Sequence, residues 1–293
     1  MLDPEGNECE GGLCRKVQKL RGIHEVRIVL YGLFSSQILT TTLTPVPRRL
    51  CLLFAAAAVS LSACNSGNDA TTIDVSAAAS LGPAFATIIE KFRGANSGIE
   101  VLLNTAGSAT LVTQIRQGSG ADLVALADDA LMDELVASGD VQADDVEVFA
   151  TNALAIVVAK GNPLGITSLA DLATKKTVTV MCEEAQPCGR SALAVLEKAG
   201  VTLTPASLEN KVSGVVQKVE MGEADAGLAY VSDGRSRSES LDMVAIPAAQ
   251  NVVNSYPIAV TTSGDEDARK FAAFVLNEGR EILGEYGFGE PTP

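Results

Sequence analysis

The feature that most constrains the fold is a repeated junction in which a short buried strand runs directly into an amphipathic helix. In its first instance, residues 75–79 are small and apolar, and Ser80 follows at the N-cap position of a helix whose apolar residues recur every three or four positions. Pro83 fits the first turn of that helix, which leaves the N–H groups of Leu81 and Gly82 free at its positive end. Such an end can bind an anion, although a Ser in this position is more often only a cap.

The same alternation of strand and helix continues along the chain. Further strands are expected at 99–103, 122–127, 154–159, 178–181, 226–230 and 256–261. Helices are expected to follow most of them, one of them directly after Arg190, and the last helix is expected at 268–283. Strands that alternate with helices predict an α/β fold with a parallel sheet.

The N-terminal region carries a secretion signal. Arg48 and Arg49 precede an uncharged apolar run that is too short for a permanent membrane anchor and ends in Leu61-Ser62-Ala63-Cys64. This ending resembles the lipobox of bacterial lipoproteins, which implies a signal peptide at 48–63, lipid on Cys64 and a lipidated polar tether at 64–72. The alternative is ordinary secretory cleavage after Ala63, with Cys64 left as a free thiol.

Residues 1–47 lie upstream of this complete signal and show no sustained hydrophobic period. They are therefore interpreted as a spurious extension from a start codon assigned too early, with Val46 as a plausible true start. Cys9 and Cys14 are not interpreted as a zinc site, because no second pair at zinc spacing follows them.

Charge and composition exclude several functions. From Cys64 onward the chain has 15 basic and 31 acidic residues, which argues against a nucleic-acid partner. The single histidine, His24, lies in the extension, and no nucleophile elbow, phosphate loop or dinucleotide fingerprint is present. Asp128-Asp129 and Asp144-Asp145 are typical of solvated helix starts, so no metal cation site is expected. Because the catalytic and nucleotide-binding motifs are missing as well, neither an enzyme nor a cofactor is expected. The function that is not excluded is anion binding, at a site built from helix N-termini and hydroxyl groups.

Several motifs together resemble one known family, the molybdate-binding proteins of bacterial molybdate ABC transporters, over about residues 73–288. The motifs are Val75-Ser76-Ala77-Ala78-Ala79-Ser80-Leu81, Gly107-Ser108-Ala109-Thr110-Leu111 with Gln114-Ile115, Ala121-Asp122-Leu123, Gly222-Glu223-Ala224-Asp225-Ala226-Gly227, Tyr256-Pro257 and Tyr286-Gly287-Phe288.

The resemblance implies the two-lobed type II periplasmic-binding-protein fold, with 73–153 and 255–293 as lobe 1 and 154–254 as lobe 2. It implies molybdate or tungstate bound in the cleft by the hydroxyls of Ser80, Ser108 and Tyr230. Backbone N–H donors are implied at Ser80, Ser108, Cys188 and Val212. Cys188 departs from the small residue common in the family, but a backbone donor tolerates that change.

The same resemblance implies a monomeric binding lipoprotein on the extracytoplasmic face of the cell membrane that delivers its ligand to an ABC transporter permease. Two alternatives stay open: a binding protein for sulfate, phosphate or an organic acid, and a sensory or adhesin-like lipoprotein of the same fold. Cys182 and Cys188 are the only cysteines after Cys64. An oxidising compartment therefore predicts a disulfide between them, with two unpaired buried thiols as the alternative.

Overall fold

The computed structural model describes residues 8–10, 13–15, 71–174 and 176–291. Within the first 66 residues it shows a two-stranded antiparallel hairpin of β1 (Glu8–Glu10) and β2 (Leu13–Arg15). The predicted signal peptide at 48–63, the lipidation site Cys64 and all but the end of the tether at 64–72 lie outside the described residues. No helix among those that are described has both the length and the apolar character needed to cross a bilayer.

Residues 71–291 form one nine-stranded mixed sheet. Its strands are β3 (Thr71–Ala78), β4 (Ile99–Ala106), β5 (Leu123–Ala125), β6 (Glu147–Ala159), β7 (Thr179–Cys182), β8 (Ser207–Glu209), β9 (Ala226–Tyr230), β10 (Leu241–Ala245) and β11 (Val253–Val260). They lie in the order β4-β3-β5-β11-β6-β9-β7-β8, with β10 also pairing to β6.

Helices cover this sheet. They are α1 (Gly82–Ala95), α2 (Ser108–Arg116), α3 (Asp129–Ser138), α4 (Leu169–Thr174), α5 (Pro187–Ala199), α6 (Val212–Glu220), α7 (Val231–Arg235), α8 (Glu266–Leu276) and α9 (Gly279–Glu285). The alternation of strands and helices confirms the predicted α/β class.

The sheet is parallel at its two ends and antiparallel in the middle. β3 pairs in parallel with β4 and β5, and β7 pairs in parallel with β8 and β9. The long strand β6 joins the two ends, because its first half pairs antiparallel with β11 and its second half with β9 and β10. The expected parallel sheet is therefore found at the two ends, whereas at the centre long strands run between them without a crossover helix.

Three clusters of buried side chains form the core. One packs α1, α8 and α9 on the sheet around Phe85, Phe92 and Phe271, whose rings meet edge to face. A smaller one lies between α2, α3 and the same half of the sheet. Apart from Ala79, the remaining cluster draws its fully buried members from Leu154 to Ile246.

Two sequence expectations about helices need correction. The last helix is divided into α8 and α9, because the backbone at Asn277 (φ −108°, ψ −85°) is not helical. α5 begins at Pro187 instead of after Arg190, since proline fits the first helical position, where its missing N–H costs nothing. Both errors arise because an apolar period locates a helix better than it locates its ends.

Candidate functional site

The structure brings all five sequence-predicted ligand residues into one cavity. This cavity has a volume of about 20 Å³ and is lined by Ala78, Ala79, Ser80, Gly107, Ser108, Ala127, Gln186, Pro187, Cys188, Val212 and Tyr230. The list includes each of Ser80, Ser108, Cys188, Val212 and Tyr230. We call this cavity the helix-end pocket.

Four of the five residues lie where a helix begins. Ser80 is in a 3-10 turn between β3 and α1, Ser108 and Val212 are the first residues of α2 and α6, and Cys188 is the second residue of α5. The first N–H groups of a helix have no partner within the helix and carry partial positive charge. The pocket therefore collects positive helix ends from both halves of the sheet.

Ser80 occupies a different backbone position from the one predicted. It is not the N-cap of α1, because the 3-10 turn of residues 79–81 intervenes and makes Leu81 the N-cap. The N–H of Gly82 donates to the carbonyl of Ala79, so it is not free as the sequence suggested. The Ser80 hydroxyl lies 2.9 Å from the Tyr256 hydroxyl, which orients it within the buried wall of the pocket.

Ser108 is held in place by its own hydroxyl oxygen, which accepts a hydrogen bond from the N–H of Ala127 at 3.2 Å. A hydroxyl that accepts in this way keeps its hydrogen available to donate elsewhere. Ser108 is buried, so a donor there is oriented and shielded from water. It is suited to donate to a group in the pocket.

Tyr230 supplies the clearest sign of a ligand. It is fully buried at the end of β9, and its hydroxyl has no hydrogen-bond partner among the described residues. Burial raises the pKa of this phenol far above its usual value, an effect that the nearby Ser191 hydroxyl only partly opposes. A buried hydroxyl without a partner is costly, so Tyr230, which lines the pocket, is a candidate donor to a bound group.

None of the residues that line the pocket carries a charge. Arg190 on α5 follows the lining residues Gln186, Pro187 and Cys188, and its guanidinium is 2.7 Å from the carboxylate of Asp128, which caps α3. The pocket thus offers hydroxyl and N–H donors without a counterion, an arrangement suited to a fully ionised anion. No group of three or more His, Cys, Asp or Glu able to hold a metal ion occurs within the described part of the chain.

The predicted disulfide is present between Cys182, at the end of β7, and Cys188, on the pocket wall. It closes a tight loop whose backbone is packed against itself. A Cβ on Gly189 would lie 1.9 Å from the carbonyl oxygen of Glu183, so only glycine fits there. The disulfide therefore fixes the start of α5 relative to the sheet.

Removing this disulfide is expected to lower the free energy of unfolding by about 2 kcal/mol, because the closed loop is short and constrains the unfolded chain only modestly. The measurement is urea unfolding of the form beginning at Asn65, with Cys182 and Cys188 both replaced by serine, against wild type. Thiol titration of the denatured, unreduced wild type provides the control. Two free thiols in that sample would contradict the pairing.

The carboxyl group of Asp233 is buried next to the backbone of Tyr230. Asp233 is 6% exposed and accepts the N–H of Tyr230 at 3.2 Å. Burial raises the pKa of this carboxyl from 3.8 to about 7, although the Tyr230 N–H and the charge of Arg237 both act to lower it. The backbone N–H of Tyr230 therefore donates to a carboxyl group, that of Asp233, which titrates near neutral pH.

This carboxyl should make stability depend on pH. Since its pKa is raised on folding, its contribution to stability is fully present below about pH 4 and is lost as the pH rises through about 7. We expect it to account for a fall of at most about 4 kcal/mol in the free energy of unfolding over that range. Asp233→Asn should remove most of this slope in urea titrations, whereas Asp133→Asn on the exposed face of α3 should leave it unchanged. A slope that survives Asp233→Asn would refute the assignment.

Gln186 is the lining residue that sequence reasoning missed as a site residue. It is the N-cap of α5, and its side-chain oxygen accepts the N–H of Ala109 on α2 at 3.2 Å. Pro187 could have revealed it, because proline is typical of a first helical position. A helix start at Pro187 would have made Gln186 an N-cap and placed it among the other helix ends. Gly107, the N-cap of α2, belongs to one of the family motifs but not to the expected ligand residues, yet it also lines the pocket.

Comparison with known proteins gives a consistent result. A family model described as bacterial extracellular solute-binding protein matches residues 73–289. The molybdate-binding protein ModA of Mycobacterium tuberculosis is 44% identical over 225 residues, which cover 76% of this chain and 86% of that protein.

Two solved structures share the architecture. The periplasmic molybdate-binding protein of Azotobacter vinelandii superposes with a TM-score of 0.67 at 17% identity, covering 75% of this chain and all of that one. The sulfate-binding protein SubI of Mycobacterium tuberculosis superposes with a TM-score of 0.66 at 19% identity, covering 76% and 88%. Identities this low show the fold alone. Together with the family match, the two superpositions confirm the two-lobed type II periplasmic-binding-protein fold expected from the sequence.

Proposed function

The chain belongs to the bacterial extracellular solute-binding proteins, and we propose that it captures molybdate, or the analogous tungstate, and delivers it to the permease of an ABC transporter. The observation that carries this proposal is the buried Tyr230 hydroxyl without a partner, in a pocket that also holds the Ser80 and Ser108 hydroxyls. Ser80, Ser108, Cys188, Val212 and Tyr230 are the proposed ligand residues.

The chemistry of the pocket favours a fully ionised tetrahedral oxyanion. Hydroxyls and helix-end N–H groups are all donors to such a ligand, and each of its oxygens can accept several hydrogen bonds. Phosphate often carries a proton at neutral pH, and that proton would face another donor at a cost of about 1–3 kcal/mol. Sulfate has shorter bonds to oxygen than molybdate, so its hydrogen bonds in a site sized for molybdate would be stretched.

The arrangement supports binding without catalysis. The single histidine of the chain is His24, so the described residues contain no histidine that could activate Ser80 or Ser108. The donors of the pocket can hold an anion but offer no general base. We therefore propose a transport protein that releases its ligand unchanged.

We further propose the lobe boundaries expected from the sequence, with 73–153 and 255–293 in one lobe and 154–254 in the other. The core clusters support this division, because one draws nearly all its members from 154–246 and the other two from 73–150 and 256–288. The proteins of this family act outside the cytoplasm. We propose attachment to the membrane through lipid on Cys64 after cleavage of the signal at 48–63, and a monomeric state.

Ligand identity is tested by thermal unfolding of the soluble form beginning at Asn65. Molybdate or tungstate at 1,000 times its dissociation constant should add about 4 kcal/mol to stability, which raises the melting temperature by several degrees. Sulfate and phosphate at the same concentration should give a much smaller shift. If molybdate gives no shift while sulfate, phosphate or an organic acid does, the proposed ligand is wrong.

A further inference from the structure

Residues 186 to 190 connect the start of α5 with two helices on the opposite side of the helix-end pocket. The side-chain oxygen of Gln186 accepts the N–H of Ala109 in α2, and its amide nitrogen lies 3.5 Å from the hydroxyl of Thr110. One turn later, Arg190 pairs with Asp128 at the start of α3. Gln186 is the only one of these contact residues that also lines the pocket.

The side chain of Gln186 has little freedom to move. It is 4% exposed, and its backbone is held by hydrogen bonds from Gln186 N–H to the carbonyl of Glu183 and from the Gly189 and Arg190 N–H groups to the carbonyl of Gln186. The neighbouring disulfide between Cys182 and Cys188 closes the same loop. The side-chain amide of Gln186 is therefore held in a fixed position next to α2.

The orientation of this amide is set by its partner. An N–H can only donate, so the atom of Gln186 that faces Ala109 is the oxygen. This bond satisfies the second N–H of α2, and the first belongs to Ser108, which lines the pocket. The contact also brings the ends of α2 and α5 together, so that donors on Ser108 and Cys188 can reach one ligand.

We propose that Gln186 is a positioning residue for the bound anion, which joins the first turn of α2 to the first turn of α5 and sets the distance between their donors. This inference rests on the proposed function, because it concerns the same pocket. It adds a requirement on residue 186 that the hydrogen-bond donors of the pocket do not meet by themselves. The residue at 186 must accept a hydrogen bond and must remain uncharged beside the anion.

The requirement is tested with two substitutions, Gln186→Ala and Gln186→Glu, in the soluble form beginning at Asn65. Gln186→Ala removes the link between the helices and should raise the dissociation constant for molybdate about tenfold. Gln186→Glu keeps an acceptor for Ala109 but adds a charge that repels the anion, so at pH 8 the loss should be about 100-fold. At pH 6 it should shrink towards tenfold, because a carboxyl buried beside an anion takes up a proton more readily.

Calorimetric titration with sodium molybdate at both pH values gives the ratio of each variant to wild type, which cancels any pH dependence shared by all forms. Gln217→Glu on the exposed face of α6 adds the same charge away from the pocket and should bind like wild type at both pH values. Wild-type affinity in both Gln186 variants would overturn the inference, and so would a Gln186→Glu loss that is equal at pH 6 and pH 8. Failure of wild type itself to bind molybdate would instead overturn the proposed function.

Discussion

Replacing Ser80 or Ser108 with alanine is expected to weaken molybdate binding by about 1.5–3 kcal/mol each, the usual value of a hydrogen bond to a charged group. This corresponds to an increase of about 10- to 150-fold in the dissociation constant, measured by calorimetric titration. Both hydroxyls are buried on the pocket wall, so water cannot replace them without entering the site.

The two substitutions should differ in their effect on folding. Ser108→Ala also removes the acceptor for the Ala127 N–H, so it should lower the free energy of unfolding of the ligand-free protein by about 1–3 kcal/mol. Ser80→Ala should cost less stability, because the Tyr256 hydroxyl can still interact with Asn152. Ser97→Ala, in the exposed turn after α1, is the control and should change neither quantity. Unchanged affinity in both pocket variants would contradict the assigned ligand residues.

Gly107→Ala is expected to reduce the apparent affinity for molybdate about 100-fold while leaving the ligand-free protein folded. The backbone of Gly107 (φ −63°, ψ 141°) is ordinary for any residue, so alanine is not strained there by itself. However, an added Cβ would lie 2.2 Å from the carbonyl oxygen of Asn210 and 2.3 Å from the side-chain oxygen of Gln186.

Gly107 belongs to the proposed first lobe and both obstructing atoms to the second, so the substitution should oppose the close approach of the two proposed lobes and not the fold of either one. If molecules in which the lobes approach this closely fall to about 1% of the population, the apparent dissociation constant rises about 100-fold. Gly98→Ala is the matched control, because a Cβ there meets nothing within 4 Å. A large loss of melting temperature in ligand-free Gly107→Ala would show instead that the contact belongs to the fold itself.

Much of the fold could be predicted from sequence because the apolar period and the helix-stop residues are local signals. Asp128, one of two acidic residues typical of a helix start, caps α3, and Gly139 ends the helix in a left-handed conformation. The strand 226–230 was predicted with the bounds it has in the structure. β10 was missed, because Leu241 is its only buried residue and no helix follows to mark it.

The composition of the pocket was only partly predictable. Hydroxyls and helix starts can be recognised along the chain, and the resemblance to a known family supplied the set of Ser80, Ser108, Cys188, Val212 and Tyr230. Gln186 and the close approach of Gly107 depend on contacts between residues about 80 to 100 positions apart. Such contacts follow from the packing of one half of the sheet against the other, which no local pattern encodes.

The pairing of the long strand β6 also affects how the protein unfolds. Because it pairs with β11 through its first half and with β9 and β10 through its second, it supplies backbone hydrogen bonds to both ends of the sheet. Neither end can lose its order without leaving part of this strand unpaired. We therefore expect residues 71–291 to unfold as one cooperative unit, with ligand bound at the helix-end pocket stabilising the α4 and α8 regions alike, although neither helix lines that pocket.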